Sequence, residues 1–215
     1  QIPIAAGLGS SASISVGIIK ALAQFLDVKL SLQKINEYAF ELEKLHHGAP
    51  SGIDNTVISF EKTIFFTKGK EPEPLHSPLP FHFLLINSTI PSLTAVSVMA
   101  LKKNKENNPA QINALLEEIG TIVFLAKQAF QNGNAVAMGK LMLQNQAILQ
   151  KLDMSLPELD SMIKLALENG ALGAKLSGGG RGGNVIALVK EENAEQVHNA
   201  FLEHGYKEIV DTIIQ

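Results

Sequence analysis

The stretch PIAAGLGSSAS, Pro3–Ser13, decides how the rest of the chain is read. It consists largely of Gly, Ala and Ser, which have little apolar surface to bury. Yet it leads straight into a segment with helical spacing, where Ile14, Ile18, Leu22 and Phe25 recur at i, i+4, i+8 and i+11. The first turn of a helix carries backbone N–H groups without internal partners, and the positive end of the helix dipole. An anion reaches them only where side chains stay out of its way. Gly7 and Gly9 permit close approach and positive φ; Ser10 and Ser11 add hydroxyls, either of which can cap the helix. Such an opening suits a phosphate cradle, and equally a tight turn with a serine cap.

The next segment bears on that choice. Ser31 caps a second helix that runs to about Leu45, with Gly48 beyond its end. At 100° per residue from Leu32, Glu37, Glu41 and Lys44 share a solvated face, while Glu43 falls at about 20°, between Ala39 and Phe40 on the apolar arc. A carboxylate there needs a cation or a basic side chain, because burying an unpaired charge is costly. Eleven residues on, HGAPSGIDN (His47–Asn55) holds Asp54 in what Pro50 and Gly52 mark as a shaped loop. A hydroxyl beside phosphate, a buried Glu and a nearby Asp form a set that Mg²⁺ and phosphate can share. His46 and His47 read as favourable charges at a helix C-terminus.

Bulk composition removes other classes. With 215 residues, 46% hydrophobic and 18% charged, the chain can bury a core and is not a disordered segment. A net charge of −3 offers no electrostatic case for nucleic acid, and the absence of cysteine excludes disulfides, thiolate metal sites and thiol catalysis. No apolar run reaches membrane-spanning length and no signal-peptide pattern is present, so a cytoplasmic protein is the default.

Further along, Thr56–Phe60 and Thr63–Thr67 read as a short hairpin. The segment 68–80, with prolines at 72, 74, 78 and 80, reads as a linker. A strand is expected over Phe81–Asn87 and helices over about Thr94–Lys103, Pro109–Asn132, Asn134–Leu152 and Leu156–Glu168. AKLSG, a run of glycines, the strand NVIALV, a helix from Ala194 to His204 and a strand from Lys207 to Ile213 complete an α+β layer.

Three segments now stand out: PIAAGLGSSA, E…HHGAPSGIDN and KLSGGGRGGN. They resemble the second motif, the metal-and-base segment and the third motif of the GHMP kinases, and among these the mevalonate kinases most. FLLINSTIP (Phe83–Pro91) is similar to the strand that opens the family's C-terminal domain. The resemblance implies an α+β, two-domain architecture. A partial N-terminal domain, like domain 2 of a ribosomal small-subunit protein, would occupy 1–78, and a ferredoxin-like α+β domain 79–215, with ATP and substrate between them.

Carried over by position, Gly7, Leu8, Gly9, Ser10 and Ser11 would hold the ATP phosphates, and Gly178, Gly179 and Gly180 would close over them. Ser11 and Glu43 would ligate Mg²⁺, Asp54 would take the proton of the acceptor hydroxyl, and Ser51 would shape the substrate pocket. The implied reaction is ATP-dependent phosphorylation of a small metabolite, with mevalonate in isoprenoid biosynthesis the first choice. ATP and Mg²⁺ are the implied cofactors. The implied partner is a small-molecule substrate, with no nucleic acid or membrane, and with a homodimer open.

Three departures stand against the pattern. Arg181 replaces the family's usual glycine and Asn184 a small residue or cysteine. Arg181, set among glycines, is expected to reach phosphate. Ser92 and Ala95 stand where mevalonate kinases commonly carry basic residues. The start Gln1-Ile2-Pro3-Ile4 reads as the inside of an element, so the family's first motif and catalytic lysine would lie upstream, and the 215-residue chain alone is expected to be inactive. Phosphomevalonate kinase, homoserine kinase, a diphosphomevalonate decarboxylase and a non-catalytic nucleotide-binding paralogue remain open. Gly9 and Asp54 speak against the decarboxylase.

Overall fold

Gly9 ends the glycine-rich opening in the left-handed conformation (φ 65°), and helix α1, Ser10–Phe25, begins at the next residue. A computed structural model of the chain describes residues 9–47, 50–92 and 94–215. Its contacts separate two units, divided between Leu75 and His76.

The first unit packs α1 against α2, Leu32–His47, and α3, Ile53–Phe60. Ser31 caps α2, its hydroxyl accepting from Lys34 N at 3.2 Å. The unit's small core joins Val16 of α1 to Ile35 and Ala39 of α2, with Ile19, Leu30 and Ile58 against it. Helix α1 spans the expected residues but buries a different face. Ala12, Ser15 and Val16 are inside, whereas Ile14 (62%), Ile18, Leu22 and Phe25 (85%) stand exposed.

The hairpin expected at Thr56–Phe60 is not formed, because those residues belong to α3. Their β-branched run favours a strand locally. However, Gly52 caps the helix with φ 90°, and Thr56 Oγ1 donates to Gly52 O at 2.6 Å. Asn55 Nδ2 also donates to Asn36 Oδ1 of α2 at 2.5 Å. Asp54 therefore sits in the first turn of a helix and not in a loop. Strand β1, Ile64–Phe65, pairs antiparallel with β2, Glu73–Pro74, so the proline-bearing segment also contributes a short strand.

The second unit is built on a four-stranded antiparallel sheet: β3 (Phe81–Asn87), β4 (Gly173–Ser177), β5 (Asn184–Val189) and β6 (Ile209–Ile214), arranged β4-β5-β3-β6. Numbered in chain order these strands run 4-1-3-2 from the β6 edge, the ferredoxin-like arrangement. Helices α4 (Thr94–Asn107), α5 (Pro109–Gln131), α6 (Ala135–Lys151) and α7 (Pro157–Glu168) fall between β3 and β4, and α8 (Glu191–Glu203) precedes β6. Leu84, Ile86, Leu176, Val185 and Ala187 of the sheet meet Leu159, Met162, Val197 and Phe201 of α7 and α8 in the main core.

Helix α6 covers the β4 edge, and Leu176 N donates to Gln146 Oε1 at 3.0 Å, which satisfies an edge amide with a helix side chain. Helix and strand touch at two glycines. A Cβ on Gly139 would lie 2.3 Å from Leu172 O, and one on Gly173 2.2 Å from Gly139 O. Among the described residues no helix is long and apolar enough to cross a membrane.

Candidate active site

In the first unit, the start of α1, the buried face of α2 and the first turn of α3 bring named side chains together. Neither Ser10 nor Ser11 caps α1. Gly9 holds the N-cap position, no side chain caps the helix, and its first turn carries no acidic residue. Ser11 Oγ instead donates to Glu43 Oε1 at 2.7 Å. Glu43 is 5% exposed, as its place on the apolar arc requires. Asp54 lies against Gly9, the N-cap of α1. A Cβ built on Gly9 would come within 3.3 Å of Asp54 Cβ and 3.2 Å of Ile58 Cδ1, tighter than an ordinary contact, and at φ 65° a side chain would also be strained, so glycine suits this close approach of α3 to the start of α1. Ser51 is exposed, and its hydroxyl accepts from Ile53 N at 3.3 Å.

Asn36, at about 40° on the α2 wheel, is polar on the apolar arc in the same way as Glu43. With Asn55 and Thr56 it fixes the register of α3, and so the position of Asp54. That angle was the signal available in the sequence for this trio.

In the second unit, Ser177 pairs with Asn184, so residues 178–183 form the loop of the β4–β5 hairpin. Gly178, Gly180, Gly182 and Gly183 all take positive φ. Ser92 Oγ donates to Gly180 O at 3.0 Å and the buried Ser97 Oγ at 3.4 Å. Arg181, expected to reach phosphate, has protein partners of its own. Its guanidinium pairs with the Asp153 carboxylate, and its Nε donates to Asp153 O at 3.0 Å. A turn folded beneath the loop, far away in sequence, supplies that partner. Gly7 and Leu8, and the side chains of His46, His47 and Ala95, lie outside the described residues.

Residues 1–62 match the family described as GHMP kinases N terminal domain, and residues 126–207 match GHMP kinases C terminal. The chain belongs to the GHMP kinase family. Relatives within it include the mevalonate kinases of Thermococcus gammatolerans (34% identical over 203 residues) and Pyrococcus furiosus (34% over 200); each match takes in 91% of this chain and 59% of the relative. The chain thus spans about 59% of the length of these curated relatives. Among solved structures, L. major mevalonate kinase in complex with R-mevalonate superposes with a TM-score of 0.92 at 30% identity, covering 100% of this chain and 68% of that one. The Methanococcus jannaschii mevalonate kinase gives 0.80 at 29% identity, covering 100% and 66%.

For a GHMP kinase fold, the donor set at Ser11 and Glu43 is informative. Among the described residues no three His, Asp or Glu side chains converge to hold a metal unaided. One hydroxyl beside one buried carboxylate suits Mg²⁺, which binds through one or two carboxylates and completes its shell with water and phosphate oxygens.

Proposed function

We propose that this chain carries the phosphate-, metal- and base-bearing residues of an ATP-dependent small-molecule kinase, with mevalonate as acceptor and 5-phosphomevalonate as product. One observation carries the reading: Ser11 is bonded to the buried Glu43 in the uncapped first turn of a helix whose N-cap glycine packs on Asp54. The names of the relatives support the choice of acceptor.

In this reading the free amides of the α1 first turn, with Gly9, Ser10 and Ser11, receive phosphate oxygens, as helix N-termini do. Ser11 and Glu43 hold Mg²⁺, which when bound offsets the negative charge of the phosphates. Asp54 accepts a hydrogen bond from the acceptor hydroxyl, aligns its oxygen for attack and takes its proton as the new O–P bond forms and the bond from the γ-phosphorus to the bridging oxygen breaks, releasing ADP. Gly178, Gly179 and Gly180 offer backbone amides to the nucleotide. Alignment and charge stabilisation supply most of the catalysis in phosphoryl transfer, and this chain's groups suit that work.

A second reading is favoured by Ser92, which bonds Gly180 O where mevalonate kinases commonly place a basic residue. A less anionic hydroxyl acceptor such as homoserine fits that substitution. An ADP-release assay on the whole protein with mevalonate, phosphomevalonate and homoserine, with product masses, separates the readings. Turnover of mevalonate is expected. Turnover of homoserine alone selects the second reading, and nucleotide binding without turnover of any acceptor refutes both.

A further inference from the structure

The loop 178–183 contains five glycines, the residues that lose most conformational freedom on ordering. Nonetheless it is tied down on two sides. Gly183 N donates to Ile90 O at 2.8 Å and Ser92 Oγ to Gly180 O at 3.0 Å. On the opposite side, Arg181 N donates to Met154 O at 2.8 Å, Arg181 Nε donates to Asp153 O at 3.0 Å, and the guanidinium pairs with the Asp153 carboxylate. Arg181 and Asp153 both sit in the left-handed region, at φ 54° and 59°, where a non-glycine residue is strained. Their mutual contacts offset that strain.

The turn that receives Arg181 is itself fixed. Ser155 Oγ donates to Asp160 Oδ1 at 2.7 Å, and Gln146 Nε2 donates to both Ser155 Oγ and Asp160 Oδ1 at 3.0 Å. Gln146 Oε1 in turn accepts from Leu176 N on β4, the strand that leads into the loop. The anchor and the loop are therefore referenced to the same strand.

We propose that Arg181 is a positioning residue: with Asp153 it latches the 178–183 loop onto the turn between α6 and α7, and so holds the loop amides in a single arrangement before nucleotide arrives. The link to nucleotide rests on the phosphate-binding reading of this loop; the latch itself does not. In this arrangement the guanidinium orders the loop through the Asp153 carboxylate, and a direct phosphate contact by Arg181 is the alternative that the test below separates from it.

The test uses Arg181→Asn, Asp153→Asn and the double variant of the whole protein. Asn tolerates the left-handed conformation, so each change removes the charge contact without adding the backbone freedom of glycine. In nucleotide-free protein, amide hydrogen exchange over 178–183 should rise about two- to fivefold in either single variant, the range for a part-exposed ion pair, and no further in the double. Raising NaCl to about 1 M should produce the same rise in the wild type and none in Arg181→Asn, because salt screens exposed charges.

Both single variants should also weaken ATP and ADP binding by similar factors, raising KM for ATP more than they lower kcat. Unchanged exchange in both single variants overturns the latch. So does Asp153→Asn tightening nucleotide while Arg181→Asn weakens it, since that makes the guanidinium a direct phosphate ligand. If the wild type binds no nucleotide, the phosphate-loop reading falls, and the exchange data still decide the latch.

Discussion

Ser11 Oγ donates to Glu43 Oε1 at 2.7 Å, tying the first turn of α1 to the buried side of α2 across 32 positions of sequence. A hydroxyl in the first turn of α1 and a carboxylate 5% exposed are thereby held at a fixed separation by two packed helices. In a metal site built partly from phosphate oxygens, that rigidity sets where the phosphates must lie.

Glu43→Gln keeps the size and one acceptor oxygen but removes the charge. The variant should fold with a loss of about 1 kcal/mol, and its Mg²⁺ requirement should rise by at least about tenfold. Activity titrated against Mg²⁺, with thermal unfolding of nucleotide-free protein alongside, checks this. Unfolding at every Mg²⁺ level would assign Glu43 to a structural bond alone.

Asp54→Asn should lower kcat by about 10²–10⁴, the usual weight of a general base, and leave nucleotide affinity nearly unchanged. Asp54 is exposed in the first turn of α3, and thermal unfolding of the variant alongside separates a loss of chemistry from a loss of fold. Steady-state kinetics with nucleotide titration decide the matter, and near-normal turnover removes Asp54 from the chemistry.

Gly139→Ala places a Cβ 2.3 Å from Leu172 O, a backbone atom that cannot rotate away. Helix α6 must shift from β4, disturbing the Gln146 bond to Leu176 N as well. A destabilisation of about 2–4 kcal/mol is expected, read as a lower urea midpoint at unchanged slope. A loss under about 0.5 kcal/mol, the range of a change away from such contacts, would mean that α6 can move off the sheet edge freely.

Burial pushes the Lys175 ammonium down to about 8 from an ordinary 10.5; its head lies inside while the residue as a whole is half-buried, and it donates to Leu176 O at 2.6 Å. Because the folded value lies below the unfolded one, the unfolded chain holds a proton between pH 8 and 10.5 that the folded chain has lost. Stability from this group therefore rises as pH climbs through that window, and the buried charge costs most below it. Lys175→Met should be more stable than the wild type at pH 7 by at most about 3 kcal/mol, with the difference shrinking towards pH 10. Urea melts across that range measure it, and a pH-independent difference would exclude the ammonium as the cause.

Local signals determined much of this molecule. Ser31 caps α2 as a single residue can, and the apolar run Phe81–Asn87 is β3 end to end. The α2 wheel placed Glu43 inside before any partner was known, because a helix assigns its faces by a constant angle per residue. Tertiary structure decided the rest, wherever the deciding partner is remote in sequence. Thr56–Phe60 has the composition of a strand, but bonds to Asn36, about twenty residues away, keep it helical and put Asp54 beside Gly9. The apolar stripe of α1 is legible from its spacing, but the side packed on α2 and α3 is the one that buries Ala12, Ser15 and Val16. Arg181 is a lone charge among glycines in sequence; Asp153, 28 residues earlier, becomes its partner only when the α6–α7 turn folds against the β4–β5 hairpin. Spacing within an element is a property of the chain itself, whereas a partner across elements exists only once packing has brought the two together.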